Sequence, residues 1–259
     1  MTRCLRFVLV SICLLVVGGA VDAKKNKSSG PLSFREISLR IIDTLEAFAP
    51  AAATEMGSHA YDSKLADYSA TSVAKMIGSL QKLQTRFNTY DTAKLNSSEK
   101  INALLLNSNL DIAILNLKGI TWYKRSPYLY VDEAIDGLYF LMLSRHATTS
   151  AKLASILGRI GEVPTLFATA QRNLKSPPRV YIESAQEGLK SGRDFYLAVG
   201  RQLTDSFPGR AGAIAGAVKR AVDAMDNFSA FLSKMTPGPD NSFAIGKTNY
   251  DYMLKNQYF

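Results

Sequence analysis

Cysteine is almost missing from this 259-residue chain. There are two, Cys4 and Cys13, and both fall in a segment laid out like a secretory signal peptide. A basic start (Met1 to Arg6) runs into an apolar stretch from Phe7 to Ala20. Val21, Asp22 and Ala23 then place small or modest side chains around a cut after Ala23. The apolar run is shorter than the roughly 20 residues a spanning helix needs, so cleavage is the expectation and an uncleaved anchor the alternative. Ile12, not a small residue, precedes Cys13, so no lipid anchor is read there. Without residues 1–23 the chain has no cysteine. That excludes disulfides, thiolate nucleophiles and Cys-ligated zinc. An exported domain of this kind must depend on its apolar core, which a chain of this length can build.

Histidine is equally scarce. His59 and His146 are far apart, and neither has a second His or a Glu at the spacing of a His-Glu-x-x-His zinc site. No Gly-rich phosphate loop or nucleophile elbow occurs, and Gly209-Arg210-Ala211-Gly212 lacks the required frame. Carboxylates are grouped at Asp132, Glu133 and Asp136. Asp132 and Asp136 share a helix face, and acidic residues near a helix start complement its dipole. An acid–base pair is the alternative reading, and it needs a cleft around the carboxylates.

The formal net charge is +9, or +8 once Arg3, Arg6 and Asp22 are removed. The basic residues are scattered, and aromatics do not interleave with them as a nucleic-acid stacking platform requires; no nucleic-acid partner is expected. The densest basic group, Lys24-Lys25-Asn26-Lys27, precedes Ser28-Ser29-Gly30-Pro31 and reads as a flexible leader over 24–33. Asn26-Lys27-Ser28, Asn96-Ser97-Ser98 and Asn227-Phe228-Ser229 are glycosylation sequons, relevant only in a eukaryotic secretory pathway.

What the sequence has in abundance is helical periodicity. Phe34, Ile37, Ile41, Leu45 and Phe48 recur at three and four residues and predict a first helix closed by Pro50. Residues 51–62 predict a connection with one short turn of helix. Val73, Ile77, Leu80, Leu83 and Phe87 mark a helix over about 70–90. Asn96 and Glu99 have capping-box spacing and open a third helix, with Ile101, Leu104, Leu105, Leu110, Ile114 and Leu117 as a broad apolar face and Gly119 as its stop. Residues 122–130 predict an aromatic loop, with Trp122, Tyr123, Tyr128 and Tyr130 as a contact surface or as side chains packed across a bundle. Further helices follow over about 131–143, 150–174, 179–203 and 209–235. Pro164 predicts a kink or break near Val163. The small residues from Ala211 to Ala217 suggest close helix packing. No membrane span is expected after the signal segment. The fold class is all-α, a multi-helix bundle, with room for a short irregular or β segment near the C-terminus.

Four stretches in this order resemble the front part of the bacterial family known as domain of unknown function 885. They are Pro50 through Ser69, Trp122 to Tyr130, Leu157-Gly158-Arg159-Ile160 through Pro164 with Ala170 to Leu174 and Pro177-Pro178, and Ile245-Gly246 with Tyr250 and Leu254. The resemblance covers most of residues 34–259. It implies kinship with zincin-type metallopeptidases whose motif, His-Glu-x-x-Pro-Gly-His, lies later in the chain than any residue here. No catalytic, cofactor or metal residue can be carried over, and zinc is expected only in that later part. Phe243, Ile245, Tyr250, Tyr252, Met253, Leu254, Tyr258 and Phe259 crowd the end of the chain, and exposed apolar patches usually mark a partner surface. The expectation is a secreted or periplasmic helical domain (34–259), the N-terminal part of a longer family domain and inactive alone. Its partners would be a C-terminal half or a peptide substrate. A stand-alone extracytoplasmic binding or assembly module is the alternative, and a small enzyme using Asp132, Glu133 or Asp136 is a third.

Overall fold

The computed structural model describes residues 32–145 and 149–257. The expected signal segment and basic leader up to Pro31, His146 and the last two residues lie outside them. Among the described residues the chain is helical with no strand, which agrees with the all-α expectation.

Ser33 opens α1 (Phe34–Phe48) with a complete capping box: its side chain accepts from the Glu36 amide while Glu36 accepts from the Ser33 amide. Phe34, Ile37, Ile41 and Leu45 are buried as their spacing requires. Pro50 does more than end this helix. It occupies the first position of a second, α2 (Pro50–Glu55), where its missing N–H costs nothing. Beyond α2, residues 57–69 form a strap without regular structure that leads to Ser69, the cap of α3 (Ala70–Asn88). Asn96 and Glu99 form the expected capping box on α4 (Ser97–Ile114). Gly119 does not stop that helix. The chain continues as a π-helical stretch, Leu115–Ile120, and reverses at Thr121, which adopts a left-handed conformation (φ 56°).

The predicted aromatic loop is instead helical: α5 (Trp122–Arg125) and the start of α6 (Pro127–Leu143), with Pro127 again at a first position. Next come α7 (Thr149–Asn173), α8 (Arg179–Ser206), α9 (Ala211–Ser233) and α10 (Lys247–Gln257). Pro164 does not break α7, which is assigned as helix throughout. Val163, Leu166 and Phe167 are buried on either side of it, and this packing offsets one missing backbone bond. The segment between α9 and α10 is irregular, as anticipated, and ends in a helix.

Helices α6 to α9 pack on one another and α2 lies against α6, while α3 and α4 pair beside α1. Buried apolar residues from Leu32 to Leu232 form one contiguous cluster. On α9 the close packing falls to Ala217 and Ala221. The glycine at the tight approach belongs to α8: a Cβ on Gly200 would lie 3.0 Å from Val218 Cγ2.

Helix α4 does not have one broad apolar face but two. Ala103, Leu106, Leu110 and Ala113, with Leu117 in the π-helical stretch beyond, turn into the core. On the opposite side α10 runs antiparallel along the helix: Asn249 lies near Gly119, Tyr252 bonds Asp111, and Ser108 Oγ donates to the Asn256 carbonyl. Ile101 and Leu104 continue that outer stripe beyond α10 and stay 60% and 66% exposed.

Candidate functional site

The most concentrated chemistry lies where α2 and the strap meet α6 and α7. Leu153, Ile156, Ile160, Val163 and Phe167 form the buried stripe of α7, and Arg159 falls on that stripe. Its side chain is 0% exposed, so its donors need partners inside the protein. Nε donates to the Lys64 carbonyl at 2.9 Å and Nη1 to the Gly137 carbonyl at 2.6 Å. Nη2 reaches Thr54 Oγ1 at 3.0 Å and the carbonyls of Tyr61 and Pro50 at 3.2 and 3.3 Å. One guanidinium thus ties α2, the strap, α6 and α7 together. A planar fork with five donors suits this task, and a lysine ammonium does not.

Carboxylates complete the clasp from the acceptor side. Glu133, on α6, accepts from the Ala66 amide at 2.8 Å and also bonds the Ala51 amide in the first turn of α2, a helix that has no side-chain cap of its own. Glu162, one turn beyond Arg159, accepts from the Leu65 amide at 2.6 Å and pairs with Lys64 at 2.9 Å. Asp62 is buried; it accepts from Thr54 Oγ1 at 2.7 Å and lies 3.0 Å from His59 Nδ1. Asn173, at the end of α7, donates to the Tyr68 carbonyl and to Tyr130 Oη, both at 2.8 Å. Side chains of α6 and α7 therefore hold the strap by its backbone at residues 61, 64, 65, 66 and 68.

Two glycines make room for it. A Cβ on Gly158 would lie 3.0 Å from Ser63 Cβ and 3.2 Å from the Ser63 carbonyl, and one on Gly137 would lie 2.8 Å from Leu65 Cδ2.

Burial pushes Glu133 up to about 7, against the lowering effects of the Ala66 amide and the Arg159 charge, with Asp136 adding to the rise. Burial also drives Tyr68 well above its ordinary value and lowers Arg159 from its own. Glu133 is therefore a carboxyl of the clasp whose charge changes near neutral pH. The neighbouring Asp132 and Asp136 are half-buried on the same helix. Among the described residues, no group of three or more His, Cys, Asp or Glu side chains is arranged to hold a metal ion.

The four predicted contact aromatics separate. Tyr130 is fully buried, with its hydroxyl on the Tyr123 carbonyl, and Tyr123 is buried as well. Trp122 and Tyr128 remain partly exposed. Trp122 donates to Asn116 Oδ1 at 3.2 Å, its ring lies 6.2 Å from that of Tyr181, and Arg125 sits 5.8 Å over it. Arg125 also donates to the carbonyls of Ser242 and Ala244, tying the segment before α10 to α5. Next to Tyr181, Pro178, Val180 and Phe243 line an open apolar groove rimmed by Arg179, Glu183 and Asp240.

Periodicity missed Arg159, Glu162, Asp62 and Asn173 as a group. One signal was present: a charged residue on the core stripe of a helix. A second was that three of the four stretches carrying the family resemblance supply the strap, the Tyr123–Tyr130 pair, and Arg159 with Asn173.

Comparison with known proteins follows the same segments. The family described as "Bacterial protein of unknown function (DUF885)" matches residues 50–258, so the match begins at α2. No curated protein matches the chain. A solved structure of a candidate lipoprotein of unknown function from Shewanella oneidensis shares the fold with a TM-score of 0.71 at 20% identity, over 78% of this chain and 37% of that one. The chain thus spans little more than a third of that protein's length.

Proposed function

Since the chain belongs to the DUF885 family, we propose that it is an exported helical portion of a metallopeptidase-like architecture and walls a peptide cleft without catalysing hydrolysis alone. The observation that carries the reading is the pairing of a family match over 50–258 with a fold shared by only 37% of a longer protein. The candidate-lipoprotein description of that protein agrees with the signal-like start of this chain. The clasp serves as scaffold in this reading, since Arg159 and the carboxylates spend their hydrogen bonds on the protein's own backbone. Zinc would enter through a His-Glu-x-x-Pro-Gly-His segment elsewhere in the architecture.

The test is the genomic reading frame after Phe259. A continuation encoding that motif is the expected result; a stop with no such segment downstream would overturn it. The exposed outer stripe of α4 at Ile101 and Leu104 favours a second reading, a stand-alone extracytoplasmic binding or assembly module, and that second genomic result would support it.

A further inference from the structure

Helix α3 carries cations without a single acid. Its 19 residues include Lys75, Lys82 and Arg86 and no Asp or Glu. The 17 residues of α6, by contrast, include Asp132, Glu133 and Asp136 and no Lys or Arg. Spacings of seven and four residues set the three α3 cations on one ridge about 16 Å long. All three are exposed, and the buried residues of the helix, Val73, Met76, Leu80 and Phe87, lie on its other side. The ridge is level. Only small residues, Ala74, Gly78 and Ser79, stand beside the long cations, and a Cβ on Gly78 would meet nothing within 4 Å. Glycine weakens a helix interior, and no described neighbour requires this one.

The surface continues onto α1. The Phe34 ring lies 6.2 Å from Phe87 and 5.7 Å from Tyr90, so the start of α1 sits beside the end of α3. There Glu36 is held below its ordinary value by the hydrogen bonds of Ser33, and also by the charges of Arg40 and Arg86. That carboxylate is spent on capping α1. Asp91, just past α3, is paired with Lys94. Among the described residues, neither Arg40 nor an α3 cation closes an ion pair. The expected leader is tethered at the same place. Lys27 is seven residues from Phe34, a reach of at most about 25 Å, and Lys24 and Lys25 precede it.

We propose that the ridge of Lys75, Lys82 and Arg86, with Arg40 beside it, is a docking face for an anionic phospholipid surface. A level row of long cations suits a plane of headgroup phosphates, and the ridge has no aromatic side chain on which a base could stack. Each cation brought to such a surface contributes about fivefold in affinity. Four of them hold the chain weakly, and the leader lysines add to them. Attachment is therefore peripheral, reversible and weakened by salt. It does not depend on the metallopeptidase reading.

Vesicle sedimentation tests this on residues 24–259, which contain the whole core cluster and lack the apolar start that would bind lipid on its own. At low salt the chain should sediment with phosphatidylglycerol vesicles and not with phosphatidylcholine ones. K75Q/K82Q/R86Q should lower the partition coefficient about a hundredfold. K190Q/R201Q/K234Q removes the same charge from other exposed positions and should change it by less than about fivefold. No binding to phosphatidylglycerol, equal binding to phosphatidylcholine, or an equal loss in both triple variants would overturn the proposal. Binding of duplex DNA or RNA through the α3 cations, without vesicle binding, would overturn it in favour of nucleic acid. A second readout leaves every charge in place. Residues 24–259 have no cysteine, so a fluorophore can be attached through S79C, on the ridge, or S206C, at the end of α8. Phosphatidylglycerol vesicles should shift the emission at position 79 and not at 206; no shift at 79, or an equal one at 206, contradicts the face.

Discussion

Arg159 Nη2 donates to Thr54 Oγ1 across 3.0 Å, and Thr54 in turn lies 2.7 Å from the buried carboxylate of Asp62. Cation and anion are thus joined through a hydroxyl on a six-residue helix that has no side-chain cap. Removing Arg159 takes a donor from Thr54 and from the carbonyls of Lys64 and Gly137, and leaves those of Pro50 and Tyr61 with the Thr54 hydroxyl and the Lys64 amide. Arg159→Met should cost about 3–5 kcal/mol, the usual range for breaking a buried charged network. Arg159→Lys should recover only part of that, because an ammonium cannot span the same acceptors. Chemical denaturation of the three proteins measures both.

Stability should depend on pH through Glu133. Its folded value is raised above its unfolded one, so its contribution is fully present below the unfolded value, near 4.5, and is lost as pH rises through about 7. Between pH 5 and pH 8 the loss should amount to about 1–3 kcal/mol. Urea denaturation across that range should show the decline, and E133Q should flatten it.

Gly158 and Gly137 should not tolerate a methyl group. An added Cβ would press on the Ser63 backbone in one case and on Leu65 and Arg159 in the other. Each Gly→Ala change should destabilise by about 1–3 kcal/mol despite the better helix propensity of alanine. Gly161, on the same helix with nothing within 4 Å of its added Cβ, is the control: Gly161→Ala should be neutral or stabilising by thermal denaturation.

Ile101 and Leu104 contribute little to the core at 60% and 66% exposure. The double change to serine should alter stability by no more than about 1 kcal/mol and reduce self-association in analytical ultracentrifugation. A large loss of stability would mean that this stripe is covered in solution.

Much of the bundle was legible in the chain. The stripes of α1 and α3 and the Asn96–Glu99 box follow from local periodicity and capping chemistry. Three features did not. Pro50 read as a break and Pro127 as part of a loop, yet each begins a helix, because proline suits a first turn as well as it ends a previous one. The apolar residues of α4 read as one face because periodicity counts side chains without distinguishing a core from an outer helix such as α10. The clasp was hidden because Arg159, Glu133 and Asp62 are far apart in sequence and act on backbone atoms, which carry no side-chain signature.

The most direct measurement is made on purified residues 24–259 loaded with zinc, dialysed, and assayed for bound metal and for cleavage of a mixed peptide library. Well under one zinc per chain and no hydrolysis above background are expected. One tightly held zinc per chain, with cleavage abolished by a chelator, would contradict the proposed function.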